Sequence, residues 1–219
     1  TLRFYRWQPS AVSIGYFQGI EEEVDLSACE EHGVDVIRRL TGGGAVYHDY
    51  EGEITYSVTM PDDYPGLPRN ILDSYDLLCK GLVLGLQSLG MPAEFKPIND
   101  IIVGARKISG NAQTRRFHGM LQHGTILCTV DAPLMFTLLK VPNEKIRDKL
   151  IAGVEERVTS IKREMGAVDR DQVTRALIEG FTTALNIEVA PGELSESELT
   201  LADQLREERY ASHAWTYKR

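Results

Sequence analysis

The sequence has few cysteines, no long apolar run and no excess of positive charge. Three cysteines occur in 219 residues, far apart and without a C-x-x-C pair. They predict neither a disulfide framework nor a zinc site, and they favour reduced thiols in the cytoplasm. No segment approaches the roughly 18 consecutive apolar residues of a membrane span, so we expect no membrane partner.

The charge balance argues against a nucleic-acid partner. The formal net charge is −8, with 24 basic and 32 acidic side chains. Basic residues nevertheless cluster at Arg38–Arg39 and along Gly104–Arg116. A local positive site on an acidic protein suits a small anionic ligand better than a polynucleotide.

Several common catalytic motifs are also missing. The sequence contains no G-x-x-x-x-G-K-[ST] phosphate loop, no G-x-S-x-G elbow, no H-E-x-x-H and no G-x-G-x-x-G. These patterns belong to P-loop enzymes, α/β-hydrolases, zinc proteases and dinucleotide-binding folds. Any nucleotide phosphate must therefore be held by another kind of loop.

The order of sequence patterns predicts one α+β domain over residues 1–219. Short β-branched and aromatic runs fill the first half, and Ile54, Tyr56 and Val58 alternate with polar residues as in a half-buried strand. Leucines at helical spacing predict a long helix over about residues 71–89. From residue 132 onward the pattern is helical, with a capping box at Ser195.

Three consecutive glycines stand between strand-like segments in RRLTGGGAVYHD, Arg38–Asp49. Without Cβ atoms, the backbone N–H groups of such a loop can contact a ligand directly. Adjacent strand residues point to opposite faces, so we expect Arg39 rather than Arg38 to face the ligand. A glycine hairpin with solvated arginines is the alternative.

A second polar cluster lies in NDIIVGARKISGNA. A hairpin there would bring Asp100 near Lys107, placing a cation for a phosphate and a carboxylate for Mg²⁺. An exposed ion pair is the alternative.

His118 and His123, five residues apart on one strand, should point to opposite faces and cannot share a metal. His123 is the one expected near a ligand, a core histidine being the alternative.

Together these segments resemble the lipoate–protein ligase A family of the biotinyl/lipoyl ligase and transferase superfamily. The family loop RRxxGGGxVxHD matches RRLTGGGAVYHD, and its KxxGxA motif matches Lys107 to Ala112. The resemblance covers nearly the whole chain. It implies a class II biotinyl/lipoyl-ligase-like α+β fold with a mixed, largely antiparallel sheet and flanking helices. It also implies that an N-terminal segment is missing before Thr1 and that the C-terminal accessory domain is a separate subunit.

The resemblance implies an ATP-dependent ligase. Lipoate would react with ATP to give lipoyl-AMP, and a lysine of a lipoyl-domain protein would then displace AMP. ATP and Mg²⁺ would be the cofactors and lipoate the substrate. The implied acceptors are 2-oxoacid dehydrogenase subunits and the glycine cleavage H protein, with a small accessory ligase subunit as a further partner.

The resemblance also implies roles for individual residues. Lys107 would contact the lipoyl carbonyl oxygen and the phosphate, and Asp100 would orient Lys107 or bind Mg²⁺. Asp100 and His48 are the candidate bases for the acceptor amine. The implied ATP and lipoyl-AMP ligands are Arg39, Gly42, Gly43, Gly44, Ala45, Val46, Tyr47, His48, Asn99, Lys107, Gly110, Ala112 and His123.

An ATP-independent octanoyl or lipoyl transferase of the same superfamily is the alternative. Such enzymes take the acyl group from a carrier onto a cysteine, located before the lysine motif or in an N-P-C segment after the HG strand. This chain reads FKPINDIIV and KVPNEK there, and Cys128 has the pattern of a core residue. Biotin ligation and a non-catalytic lipoate-binding subunit are weaker alternatives, and the presence of Lys107 disfavours the latter.

Overall fold

The fold is that of a computed structural model, described over residues 1–141 and 147–219. The strands are β1 (Leu2–Tyr5), β2 (Ala11–Ile14), β3 (Asp35–Arg38), β4 (Val46–His48), β5 (Glu53–Pro61), β6 (Ala93–Lys96), β7 (Asp100–Val103), β8 (Arg106–Arg116) and β9 (Gly119–Leu127). The helices are α1 (Ile20–Glu23), α2 (Leu26–Glu31), α3 (Ile71–Ser88), α4 (Ala132–Leu138), α5 (Arg147–Arg157), α6 (Ile161–Met165), α7 (Arg170–Leu185), α8 (Glu196–Leu205) and α9 (His213–Thr216), with a π-helical turn over Arg206–Tyr210.

The chain divides into two compact units. The first unit comprises Thr1–Arg6, Glu51–Ala132 and Asp148–Glu188. The second unit comprises Trp7–Tyr50, Pro133–Arg147 and Val189–Arg219. One catalytic domain over residues 1–219 stays a prediction.

The first unit contains a six-stranded antiparallel sheet in the order β1-β5-β9-β8-β7-β6. Its core joins the sheet to helices α3 and α7. Ile54, Tyr56 and Val58 are buried in a strand, as predicted for β5, but Thr55 on the opposite face is also fully buried, so the prediction that the strand is half-buried is wrong there. The leucine spacing also predicted α3 correctly, and the side chain of Asn70 caps its first turn.

The second unit contains a smaller mixed sheet in the order β3-β2-β4. Strand β2 pairs parallel with β3 and antiparallel with β4. A separate apolar core includes Val12, Ile14 and Leu138. The capping box at Ser195 is present, as predicted. The two sheets with flanking helices confirm the predicted α+β fold class.

Within the described ranges, the helices are too short or too polar for any of them to cross a bilayer.

Candidate functional site

The glycine loop follows β3 in the second unit. Gly43 has a φ of 95°, in the left-handed region that glycine adopts without strain, and both Gly43 and Gly44 are exposed. The N–H of Tyr16 donates to the Thr41 carbonyl at 2.9 Å, which attaches the loop to the segment after β2. The loop therefore presents exposed backbone from an anchored position.

The side chain of Arg39 stabilises this loop through hydrogen bonds. Its guanidinium donates to the carbonyl and hydroxyl of Ser13 at 2.8 and 3.0 Å. It also donates to the carbonyls of Gly42 and Gly44 at 2.9 and 2.6 Å. Loss of hydration lowers the pKa of Arg39 to about 10. In this structure the donors of Arg39 bind the loop and Ser13. Direct contact between Arg39 and a ligand stays a prediction.

Arg38 is buried on the other side of the strand end, with only 1% of its surface exposed. Its guanidinium donates to the carbonyls of Gly15, Tyr16 and Gln18. It also donates to the carbonyls of Trp215 and Thr216, and the Trp215 indole donates to the Arg38 carbonyl. The alternative of a hairpin with solvated arginines is therefore wrong.

His48 has the surroundings of a structural histidine. It lies at the end of β4, is 4% exposed and stacks on Trp7 with the ring centroids 4.7 Å apart. Its Nε2 lies 2.7 Å from the Ser13 hydroxyl. In the same strand, Val46 is opposite Ser13 and Tyr47 is opposite Val12, so β4 fixes the backbone that follows the glycines.

The structure brings Lys107 and Asp100 together, as the predicted hairpin requires. Strands β7 and β8 pair antiparallel, and Lys107 Nζ lies 2.6 Å from Asp100 Oδ1. The register shifts at Ile101/Ile102, which places Asp100 opposite Gly110. A Cβ atom on Gly110 would lie 2.7 Å from Lys107 Nζ, so glycine gives the lysine room to reach the carboxylate.

The Lys107–Asp100 pair is accessible, with side-chain exposures of 41% and 33%. An ammonium has three N–H donors, and Asp100 accepts one of them. The backbone of Lys107 is fixed, because its carbonyl accepts from the Thr159 N–H at 2.8 Å. A fixed, half-exposed cation of this kind can stabilise an oxyanion on an incoming substrate.

The other candidate residues of the lysine motif and of the strand that follows it lie on β8, on β9 and just before β7. The Asn99 side chain donates to the carbonyl of Asn111, a buried residue that sequence reasoning missed although it lies inside the lysine motif. Ala112 and His123 are opposite each other in the β8–β9 ladder. His118, expected on a strand, lies in the turn between β8 and β9 with a φ of 58°.

The residues around Asp100 do not fit a magnesium site. In residues 1–141 and 147–219, no group of three or more His, Cys, Asp or Glu side chains could hold a metal ion. Mg²⁺ prefers several oxygen ligands, whereas the Asp100 carboxylate already pairs with Lys107.

The three cysteines are all buried. Cys29 is 1% exposed, and Cys79 and Cys128 are 0% exposed. Burial raises the pKa of their thiols to about 11, 12 and 11, respectively. A nucleophilic cysteine needs the thiolate and access to substrate, and these thiols have neither. Of the KVPNEK segment, residues 142–145 lie outside the described ranges.

Comparison with known proteins gives the family. A family model described as the lipoyl protein ligase A/B catalytic domain matches residues 1–182. An octanoyltransferase LipM of Kyrpidia tusciae is 38% identical over 100% of this chain and 87% of its own. The LipM of Bacillus subtilis is 34% identical over 100% and 86%.

Solved structures show the same fold. A bipartite lipoate protein ligase from Thermoplasma acidophilum aligns with a TM-score of 0.90 and 36% identity, covering 99% of this chain and 83% of that one. A lipoate-protein ligase A bound with ATP aligns with a TM-score of 0.84 and 34% identity, covering 99% and 85%.

These relatives correct the predicted activity and confirm the predicted family. The curated relatives, at 32–38% identity over the full chain, are named octanoyltransferases, so ATP-dependent lipoate activation is wrong as the predicted function. They favour the ATP-independent alternative, and their names support neither ATP nor Mg²⁺ as a cofactor. The glycine loop and lysine motif did not separate the two activities. An enzyme is supported, as predicted, and the chain belongs to the lipoyl protein ligase A/B catalytic domain family.

Proposed function

We propose that this protein transfers an octanoyl-type acyl group from a carrier thioester to a lysine of a lipoyl domain, without ATP. The observation that carries this proposal is the full-length similarity to octanoyltransferases. The accessible Lys107–Asp100 pair supplies a group suited to acyl transfer. The acceptors we propose are 2-oxoacid dehydrogenase subunits and the glycine cleavage H protein, in the cytoplasm.

The chemistry requires charge stabilisation at the acyl carbonyl. The neutral amine of the acceptor lysine attacks the thioester carbon, and the carbonyl oxygen becomes an oxyanion. The C–N bond forms, the C–S bond then breaks, and the carrier thiol leaves with a proton. In this proposal Lys107 donates to the oxyanion, and such a preorganised donor is typically worth about 10²–10³ in kcat.

The acceptor lysine must lose its proton before it attacks. With an ordinary pKa near 10.4, this costs roughly 4–5 kcal/mol at neutral pH. We propose Asp100 as the proton acceptor, because its carboxylate lies beside Lys107 and is one-third exposed. His48 is a poorer candidate, because its ring is buried against Trp7 and Ser13.

We propose direct transfer, in which this protein differs from the cysteine-bound acyl group expected of transferases in this superfamily. The three thiols of this sequence are buried and protonated at neutral pH, so none can accept an acyl group in the folded protein. An acyl group on Lys107 would form a stable amide rather than an intermediate. The remaining proposed ligand contacts are Arg39, Gly42, Gly43, Gly44, Ala45, Val46, Tyr47, Asn99, Gly110, Ala112 and His123.

The test is acyl transfer to a purified lipoyl domain, followed by mass spectrometry of both proteins. One arm supplies octanoyl carrier protein without ATP, and the other supplies free octanoate or lipoate with ATP and Mg²⁺. We expect modification in the first arm and no acyl adduct on this enzyme. Modification only in the second arm would overturn the proposed function, and an acyl adduct on a cysteine would overturn direct transfer.

A further inference from the structure

We propose that Asn111 is a positioning residue that holds Asp100 against Lys107; its kinetic consequence rests on the proposed function. Asn111 lies on β8, one residue after Gly110, and only 4% of its surface is exposed. It touches neither Lys107 nor Asp100 through a side-chain hydrogen bond. It acts on them through Asn99, the residue that immediately precedes Asp100.

Three hydrogen bonds join Asn111 to Asn99. The backbone N–H and the side-chain Nδ2 of Asn111 both donate to the Asn99 carbonyl, at 3.0 and 2.8 Å. In return, the Asn99 side chain donates to the Asn111 carbonyl. Because the carbonyl of Asn99 belongs to the peptide unit that continues into Asp100, these bonds fix the start of β7. The reach of the Asp100 carboxylate toward Lys107 is set from that point.

The position of the Asn111 side chain is itself determined by its buried neighbours. Its Oδ1 accepts from the hydroxyl of Tyr56, a residue with 0% exposure, at 2.7 Å. The same hydroxyl accepts from Gln122 Nε2 at 2.9 Å, so both roles of the Tyr56 hydroxyl are filled. A Cβ atom on Gly124 would overlap Asn111 Oδ1, so the opposite strand leaves space for this amide. With Oδ1 held by Tyr56, Nδ2 is left to face Asn99.

A purely structural role would make a different prediction from a positioning role. If the network only satisfies buried polar groups, loss of either the Tyr56–Asn111 or the Asn111–Asn99 hydrogen bond should lower the stability of the protein. Activity should then fall in proportion to the stability that is lost. If Asn111 positions Asp100, loss of the hydrogen bond from Asn111 to Asn99 should disturb the contact between Asp100 and Lys107. Loss of the hydrogen bond from Tyr56 to Asn111 should not. Tyr56→Phe removes one donor to Asn111 Oδ1, but the Ser109 hydroxyl, 3.5 Å from that oxygen, and the Asn99 carbonyl, which accepts from Nδ2, still hold the amide in its orientation. It is therefore the matched control for Asn111→Ala.

The experiment compares wild type, Asn111→Ala, Asn111→Ser and Tyr56→Phe in the carrier-dependent transfer assay. Asn111→Ala removes the Nδ2 donor and leaves the two hydrogen bonds made by the backbone of this residue, so it should loosen Asp100 without releasing it. We expect kcat to fall about tenfold, since small displacements of catalytic groups have large effects. The KM for the lipoyl domain should stay within about threefold of wild type, because Asn111 is buried. Tyr56→Phe should lose thermal stability but keep kcat within about threefold. Asn111→Ser covers the case in which the alanine variant does not fold.

A second readout reports the ion pair without any turnover. Trace acetylation at pH 8, followed by mass spectrometry, gives the reactivity of Lys107 relative to the exposed Lys80. Loosening Asp100 should raise the relative reactivity of Lys107 about threefold in Asn111→Ala, the change expected when an accessible ion pair is lost. Tyr56→Phe should leave it unchanged.

The outcomes separate the two proposals. Unchanged Lys107 reactivity in Asn111→Ala, or equal kcat losses in Asn111→Ala and Tyr56→Phe, would overturn the positioning role. If wild type transfers no acyl group from the carrier, the proposed function fails. Lys107 reactivity then decides the role of Asn111 alone, a rise supporting it and no change overturning it.

Discussion

A Cβ atom on Gly15 would overlap the carbonyl oxygen of Gly43. The glycine loop is therefore in contact with the segment after β2, and a glycine outside the motif RRLTGGGAVYHD is needed to keep it there. The same segment is also held by Arg38, which donates to the Gly15 carbonyl at 3.1 Å. The shape of the loop thus depends on residues distant from it in sequence.

Gly15→Ala should destabilise the protein and displace the loop. The clash is with backbone rather than a flexible side chain, so we expect a loss of about 1–3 kcal/mol in the free energy of unfolding. Urea denaturation measures this loss, and Gly192→Ala is the matched control because nothing lies within 4 Å of its Cβ position. Equal stability of the two variants would contradict the close approach of Gly15 to Gly43.

Arg38→Met should be more damaging than a surface substitution. It removes the donors that satisfy carbonyls of Gly15, Gln18 and Thr216, and a buried acceptor without a partner costs about 1–3 kcal/mol. We expect at least about 3 kcal/mol in urea denaturation, with faster hydrogen exchange over α9. Arg38→Lys keeps the charge but not the planar fork of donors, so it should lie between wild type and Arg38→Met. A loss below about 1 kcal/mol in Arg38→Met would contradict this role.

The sequence was informative where the signal is local. Helix α3 and the burial of Ile54, Tyr56 and Val58 follow from apolar spacing, and the hairpin predicted within NDIIVGARKISGNA does join Asp100 to Lys107. The role of Arg38 could not be predicted, because its partners Trp215 and Thr216 are far away in sequence. Asn111 was missed because its neighbours come from β5, β9 and the segment before β7.

Lys107→Ala should lower kcat about 10²–10³-fold if Lys107 stabilises the oxyanion. Its fold should be unaffected, because the side chain is 41% exposed, so the melting temperature should stay close to wild type. Asp100→Asn should lower kcat less at high pH than at neutral pH, since the acceptor lysine is then already partly deprotonated. Steady-state kinetics with octanoyl carrier protein between pH 7 and 9 check both variants. An unchanged kcat in Lys107→Ala would show that another group stabilises the oxyanion.

The buried thiols should resist alkylation in the folded protein. A thiol whose pKa is raised to about 11, as for Cys29 and Cys128, is ionised to only about one part in a thousand at pH 8. Cys79, with its pKa raised to about 12, is ionised about ten times less again. Iodoacetamide at pH 8 should therefore leave native protein and transfer activity intact, whereas protein in urea should be alkylated.

The same thiols should make the protein less stable in alkali. Their pKa values are raised on folding, so the folded state keeps protons that the unfolded state loses above about pH 8.5. The free energy of unfolding should therefore fall as pH rises from about 8.5 toward 11, and alkylation should begin in that range. Cys79→Ala removes the thiol whose pKa is raised most, and it should reduce the fall of the free energy of unfolding with pH.

The alkylation experiment at pH 8 also tests direct transfer. Loss of transfer activity in step with alkylation of a single cysteine at pH 8 would show that a thiol takes part in the reaction, and it would contradict direct transfer.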